Sequence, residues 1–355
     1  MRPSTPRQAQ DDAVVTLRRI AFLLERGQAT PYRSAAFRGA ARSVETAEPD
    51  RLRGLAESDR LTDLPGVGER TAGVIRAALR GDPVAYLDTL ERQAAMPTTG
   101  PGAALRAALR GDLHSHTNAS DGTSSLQEMA LTALELGHDY LAVTDHSPRL
   151  TVAHGLSPER LRAQLDRIAA VNTALDTAGT PFRVLTGIEV DILDEGSLDQ
   201  EPDLLATLDV VVASVHSKLR MESGPMTRRL LAAVANPRVA VLGHCTGRQL
   251  IGRLRPPSTF DHEAVFAACA QHGVAVEINC RPDRLDPPHD LIRTAVDAGC
   301  VFAIDTDAHA PGQLDWQRTG CDRAAERHVP ASQVINTWPV ERLLDWTSPA
   351  QRRTP

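Results

Sequence analysis

The sequence predicts an α/β fold, a barrel of about seven parallel strands preceded by a small all-helical region. Three observations predict it. Apolar, β-branched runs alternate with helical patterns from residue 105 onward, whereas no strand pattern occurs between Asp11 and Glu91. Almost every strand-like run ends in histidine, aspartate or glutamate. In a barrel such ends converge on one face; in an open sheet they would be spread along an edge.

The helical region opens with Val14, Val15, Leu17, Ile20, Ala21, Leu23 and Leu24 at helical spacing, and Gly27 ends this first helix. PYRSAAFRGAARSVE continues with Tyr32, Ala36, Phe37, Ala40 and Val44 on one side, and a third piece covers Arg51–Glu57. LTDLPGVGERTAGVIRAALRG then places a Pro65-Gly66-Val67-Gly68 turn between helical pieces. The predicted organisation is a helical domain over 11–91, a linker over 92–104 containing MPTTGPGA, a barrel over 105–346 and a flexible tail over 347–355. In the barrel region the strand runs are GDLHSH, DYLAVTDH, PFRVLTGIEV, DVVVASVH, RVAVLGH, GVAVEIN and CVFAIDTDAH.

Composition narrows the function class. The chain has 355 residues, 42% apolar and 24% charged, which excludes whole-chain disorder, collagen and coiled coil. No apolar run is long enough to span a membrane, and MRPSTPRQAQDD has no secretory core, so a cytoplasmic location is expected. Five scattered cysteines form no CxxC pair and read as reduced core thiols. Lys218 is the only lysine. The net charge is −6; residues 1–90 hold 14 Arg against 12 Asp and Glu, a net +2, which leaves −8 for the remainder. An acidic body repels nucleic acid unless bound cations reverse the field locally.

The strand ends carry the chemistry. His114 and His116 end the first run and Asp121 follows; later ends supply His146, Glu189, His216, His244, Asp307 and His309. His-x-His and Asp-x-His on extended backbone put both side chains on one side. Imidazole and carboxylate donors without thiolate suit zinc, manganese or iron, and so many buried polar groups are tolerable only if cations satisfy them. The nine donors exceed the need of one ion and fit two or three, with Glu189 as the bridge. Asp145, beside His146, is placed to orient a bound imidazole or a water. Arg248, Arg281, Lys218, Arg220 and Arg284 follow barrel strands and are candidates for gripping phosphate.

HSHTNASDG, TDHS, GIEVDI, SVHS, LGHCTGR, EINCRPDRLD and DTDAH, in that order, resemble the PHP (polymerase and histidinol phosphatase) domain, most of all that of bacterial family X DNA polymerases. The resemblance covers about Leu105–Trp346 and implies a distorted seven-stranded (β/α) barrel with a trinuclear metal centre. It implies that His114, His116, Glu189 and Asp307 hold one ion. Glu189, His216 and His244 would hold a second, and Asp121, His146 and His309 a third. It further implies phosphoester hydrolysis by metal-activated water. Upstream, GQATPYRSAAFRGAARSVE with LPGVGERTAGVI resembles the small helix–hairpin–helix domain of the same polymerases, which holds the 5′-phosphate side of gapped DNA. Pro65, Gly66, Val67, Gly68 and Arg70 would contact DNA there, with Arg33, Arg38 and Arg42. The cluster Arg18, Arg19, Arg26, Arg33, Arg38 and Arg42 against Glu25 gives a local charge of +5.

Two departures from that family bear on activity. Matching through PGVGERTAGV puts Val74 where lyase-competent members carry the imine-forming lysine, so no Schiff-base lyase activity is expected. Too few residues separate the two regions for a polymerase palm, so no nucleotide polymerisation is expected. The resulting expectation is a metal-dependent phosphoesterase acting on DNA ends or damaged sites, as in DNA repair: 3′→5′ exonuclease, 3′-phosphatase or abasic-site processing. The alternatives are a small-molecule phosphatase of the histidinol-phosphatase type and a non-catalytic DNA-binding protein with a structural metal cluster.

Overall fold

The computed structural model describes residues 5–94 and 100–348. Contacts divide the chain into two compact units, 1–97 and 98–355.

The first unit contains helices α1 (Pro6–Arg26), α2 (Pro31–Thr46), α3 (Pro49–Glu57), α4 (Glu69–Arg80) and α5 (Ala85–Ala94). α1 starts earlier than its apolar pattern alone indicates. Pro6 opens its first turn and the Thr5 hydroxyl accepts the Gln8 amide at 3.2 Å. The helix ends before Gly27 as predicted, but Gln28 takes the left-handed turn, at φ 55°. Leu17, Ile20 and Leu24 of α1 pack with Phe37 and Val44 of α2 and Ile75 of α4 in one apolar core. Each such side chain contributes about 1.5–3 kcal/mol on burial. Gly66 sits at φ 71° in the turn before α4, a conformation glycine adopts without penalty. Val74 is part of the same core.

The second unit is the predicted barrel. α6 (Ala103–Ala108) precedes β1 (Gly111–Asp112), followed by α7 (Leu126–Glu135), β2 (Tyr140–Val143), α8 (Pro158–Thr177) and β3 (Arg183–Asp191). Next come α9 (Pro202–Leu205), β4 (Val210–Ser214), α10 (Ser223–Val234), β5 (Val241–Leu242), α11 (His262–His272), β6 (Ala275–Asn279), α12 (His289–Asp297) and β7 (Phe302–Asp305). α13 (Gln317–Glu326) and α14 (Val340–Thr347) follow. The seven strands are parallel and lie in the order β1 to β7. Between β7 and β1 the ladder shrinks to one bridge, Ser115–Ala308. Side chains complete that seam: the Leu113 amide donates to Asp305 at 2.8 Å, and the Thr306 amide and hydroxyl donate to Asp112. The barrel is therefore nearly closed.

The expected linker, 92–104, is narrower than predicted. Residues 92–94 finish α5, and the Gly102 amide donates to Asp322 at 2.8 Å at the base of α6, whose Leu105 is buried in the barrel core. A side chain at Gly102 would run into the Cys321 backbone at 2.3 Å, so glycine permits this close packing. Residues 95–99 and, from the expected tail, 349–355 lie outside the described residues. Opposite the functional end, Ile335, Trp338 and Leu343 pack against Tyr140, at the start of β2, and its hydroxyl reaches the carbonyls of Asn336 and Trp338 at 3.2 Å. No helix among the described residues is long and apolar enough to cross a membrane.

Candidate metal centre

All nine predicted donors lie at the carboxyl ends of the barrel strands, and Glu189 is their hub. His114 and His116 follow β1, and His146 follows β2. Glu189 lies near the end of β3; His216 and His244 follow β4 and β5; Asp307 and His309 follow β7. The Glu189 carboxylate has five imidazoles around it. Its Oε2 is 3.3 Å from His114 Nε2, 3.6 Å from His116 Nε2 and 2.9 Å from His146 Nδ1. Its Oε1 is 3.2 Å from His216 Nε2 and 2.8 Å from His244 Nε2. Asp307 Oδ1 lies 3.3 Å from His116 Nε2 and 4.0 Å from His114 Nε2. Asp121 Oδ1 stands 3.5 Å from His146 Nε2 and 3.4 Å from His309 Nε2.

Three sets of donor atoms lie within 4.8 Å of one another: His116, Asp121, His146 and His309; His114, His116 and Glu189; and His146, Glu189 and His216. The second and third share Glu189, as expected of a bridge. The sets also differ from the expected partition, because His116 reaches the Asp121 group and His146 reaches Glu189. Asp307 and His244 both sit at positive φ, 51° and 21°, which non-glycine residues rarely adopt.

Whether divalent ions suit this centre can be judged from its unsatisfied atoms. His114 Nε2, both ring nitrogens of His116 and of His216, His146 Nδ1, His244 Nδ1 and Glu189 Oε2 are buried without a hydrogen bond. Imidazole lone pairs aimed at a carboxylate repel it unless a proton or a cation lies between them. Burial pushes the Glu189 carboxyl up, but the charges of His114, His216 and His146 override this and hold it well below the usual carboxylate range. Burial, with His309 and His146 nearby, pushes His116 well below the usual imidazole value. The surrounding carboxylates hold His114 well above the usual imidazole value and raise His216 to about 9, so protons can charge these two rings but not His116 beside them. Divalent cations can satisfy the same donors, and the residues fit them.

Two carboxylates of the centre have no assigned role in the sequence reading. Glu277 is fully buried; its Oε1 lies 2.6 Å from His114 Nδ1, and its Oε2 accepts the His244 amide at 2.6 Å. Asp191 accepts the His216 amide at 3.1 Å and lies 3.5 Å from His216 Nδ1. Glu277 orients the His114 imidazole so that its opposite ring nitrogen faces the centre, whereas Asp191 holds the His216 backbone and lies near its ring. Their signal was alternation: Glu189-x-Asp191 on β3, and Glu277-x-Asn279 on β6. Asp145 does a different job from the one predicted. It accepts the Thr117 amide and hydroxyl, the Ser120 hydroxyl and the Gln164 amide, and so anchors the loop that carries Asp121.

The five basic candidates separate. Arg281 Nη1 lies 3.4 Å from Asp307 Oδ1 and 3.1 Å from His309 Nδ1, and Arg284 Nε lies 3.4 Å from Asp307 Oδ2. Both border the centre. The Arg248 guanidinium instead donates to the carbonyls of Arg284 and Leu285, so it fastens their loop rather than facing a ligand. Lys218 is exposed and paired with Asp194, and Arg220 is exposed.

The helical unit corrects the expected +5 face. Arg38 and Glu25 form a buried pair at 2.8 Å, which removes Arg38 from any DNA surface. Arg18 pairs with Glu45 at 2.9 Å and Arg19 with Glu91 at 3.3 Å. Val67 points into the core, so only its backbone can meet a ligand. Arg33, Gly66, Gly68 and Arg70 do line one open depression of 770 Å³, together with Pro65 and Phe37. There Arg33 donates to the Tyr86 hydroxyl at 2.8 Å, and Arg70 lies 5.7 Å above the same ring. Arg42 is exposed on α2.

Comparison with known proteins agrees with the strand-end pattern. The family model described as "PHP domain" matches residues 112–279. A Bacillus subtilis protein named DNA polymerase/3'-5' exonuclease PolX is 38% identical over 228 residues, 64% of this chain and 39% of that protein. The chain thus spans well under half of that relative. A probable phosphatase of Caldanaerobacter subterraneus is 30% identical over 256 residues, 68% of this chain and 92% of its own length. One from Vibrio campbellii is 30% identical over 216 residues, 57% of this chain and 78% of its own length. A crystal structure of histidinol phosphate phosphatase from Lactococcus lactis, complexed with zinc, L-histidinol and phosphate, aligns with a TM-score of 0.43 at 17% identity, over 61% of this chain and 93% of that one. Ordered motifs, near-closed parallel barrel and full-length relatives agree, and the chain belongs to the PHP domain family.

Proposed function

We propose that this protein is a metal-dependent phosphoesterase that hydrolyses DNA phosphoesters at ends or damaged sites, as a 3′→5′ exonuclease, a 3′-phosphatase or an abasic-site enzyme. The observation that carries the reading is the single Glu189 carboxylate within 3.6 Å of five imidazoles. Two or three zinc, manganese or iron ions would be held by these donors: His114, His116, Glu189 and Asp307 for one, Glu189, His216 and His244 for another, and Asp121, His146 and His309 for a third, with His116 and His146 close enough to serve two. The chemistry such ions would supply is activation of a water and neutralisation of charge on the phosphoryl oxygens.

The chain's own residues do the rest. Glu277 fixes the ring of His114, and Asp191 holds the backbone of His216 through its amide. Arg281 and Arg284, beside Asp307, are positioned to hold the non-bridging oxygens of the phosphate as charge builds on them. The depression of the helical unit, with Arg33 and Arg70, is the candidate grip on the DNA backbone, and tethering that grip to the barrel raises the local substrate concentration. The part-length match to the Bacillus subtilis protein supports a nucleic-acid substrate.

A second reading, a small-molecule phosphatase, is favoured by the relatives named probable phosphatases that the chain matches over 78% and 92% of their length. One experiment separates the two. Metal content of the purified chain is measured by mass spectrometry, and kcat/KM is then compared on 3′-recessed, gapped and abasic duplexes and on p-nitrophenyl phosphate with Mn²⁺. Cleavage of the duplexes supports the first reading. Fast turnover of the monoester with inert duplexes establishes the second, and metal-free protein without turnover defeats both.

A further inference from the structure

The loop after β5 carries an unusual surface. Leu250, Ile251 and Leu254 are 43%, 51% and 70% exposed, and they make up three of the seven large apolar residues exposed among the described ones. All three lie within five residues at the tip of a short hairpin closed by the antiparallel bridge Gln249–Arg255. Isolated exposed leucines need no explanation, but a cluster on one projecting tip marks a contact surface. The hairpin is rigidly rooted. The Leu250 amide donates to the Asp283 carbonyl at 2.7 Å, and the Gln249 side chain donates to the Asp283 carboxylate at 2.8 Å. Asp283 in turn holds Arg281 at 3.2 Å, and Arg281 borders Asp307 and His309. The apolar tip is thus two residues removed from the centre, through Asp283 and Arg281.

Charge identifies the occupant. The segment Arg248–Arg255 carries three arginines and no acid, in a region whose net charge is −8. Arg248 and Arg255 bond backbone carbonyls and stiffen the hairpin, while Arg253 is exposed beside the apolar tip. A hydrophobic tip flanked by a free guanidinium, on the rim of a phosphoester site, matches a strand whose bases are unstacked and whose backbone is anionic. It does not match a small phosphate monoester, which has nothing to reach the tip.

We propose that this hairpin is a strand-gripping element: Leu250, Ile251 and Leu254 cover unstacked bases of a single-stranded polynucleotide end, and Arg253 pairs with a backbone phosphate. The inference rests on the phosphoesterase reading and names its substrate class. The test uses the full chain and two variants, the triple change Leu250→Ser, Ile251→Ser, Leu254→Ser and the single change Arg253→Ala. Fluorescence anisotropy reads binding of a duplex with a 3′ single-stranded tail, and hydrolysis of bis-p-nitrophenyl phosphate reads the centre alone. The expected result is about ten-fold weaker binding of the tailed duplex for the triple variant, a loss of about three-fold for Arg253→Ala, and hydrolysis of the small diester within two-fold of the native chain. Unchanged anisotropy overturns the inference, even if the native chain hydrolyses neither substrate; that separate failure would count against the phosphoesterase reading. A loss of diester hydrolysis equal to the loss of binding overturns it as well, since the hairpin would then only support the centre. Loss of a native dimer in the triple variant, seen by light scattering, assigns the tip to a second copy of the chain and also overturns it.

Discussion

The strand ends of the barrel and the arginines of the helical unit treat charge in opposite ways. In the helical unit several arginines are paired with an acid of their own: Arg38 with Glu25, Arg18 with Glu45, Arg19 with Glu91. At the strand ends five imidazoles crowd one carboxylate, and many buried ring nitrogens have no hydrogen bond. The first arrangement is closed, because opposite charges cancel within the protein. The second is open, because cancellation needs something the chain does not itself supply. A dense cluster of titratable residues is therefore weak evidence for a site until one asks whether its members already satisfy one another.

Breaking the open arrangement has the largest expected effect. Glu189→Gln removes the hub, and hydrolysis of a chromogenic diester should fall at least about a thousand-fold, with metal content by mass spectrometry dropping in parallel. Retained metal and activity would mean that Glu189 bridges nothing. Breaking the closed arrangement comes next. Arg38→Met removes the guanidinium from its buried pair with Glu25 and should cost about 3–5 kcal/mol in denaturant unfolding, most of which the double change Arg38→Met, Glu25→Leu restores. Equal stability of the single and double variants would show that the pair is not closed in this sense. Glu277→Gln leaves the hub intact but replaces an acceptor by a group that cannot serve both His114 and the His244 amide; metal affinity in chelator competition should fall about 10–100-fold.

His138 sharpens the contrast, since it is a buried histidine remote from the hub. Burial and the nearby Arg106 push it from 6.5 down to about 3. The unfolded chain then binds the extra proton, so this stabilisation is complete above pH 6.5 and is lost as the pH falls toward 3. Relative to His138→Leu, the native chain should lose about 2 kcal/mol between pH 7.5 and 5. Parallel stability profiles would contradict the assignment. The smallest effect belongs to Lys218→Ala: the exposed side chain is paired with Asp194, and kcat/KM should stay within about two-fold on any phosphoester.

The gathering of nine imidazole and carboxylate residues was legible because a parallel barrel turns position along the chain into position in space: whatever ends a strand arrives at one mouth. The alternating order of strands and helices was legible for the same reason. Glu277 was harder to read, because it lies inside an apolar strand run where its alternation with Asn279 is the one mark it carries. The pairing of Arg38 was hidden too, since its partner sits 13 residues away on another helix. Arg248 looked like a phosphate ligand from its place after β5, but the loop carbonyls that claim it become its neighbours only when the chain folds. The packing of Gly102 against Cys321 depends on a contact over 200 residues long in sequence and leaves no local trace.

The seam between the first and last strands has a consequence for how the protein comes into being. Asp112 and Thr306 meet across 194 positions, and Leu113 meets Asp305 across 192. On a ribosome, the imidazoles of His114 and His116 emerge long before the aspartate that must stand opposite them. The mouth that gathers the imidazoles and carboxylates is thus among the last parts of the molecule to be assembled, and a nascent chain that ends before Asp307 still lacks Asp307 and His309.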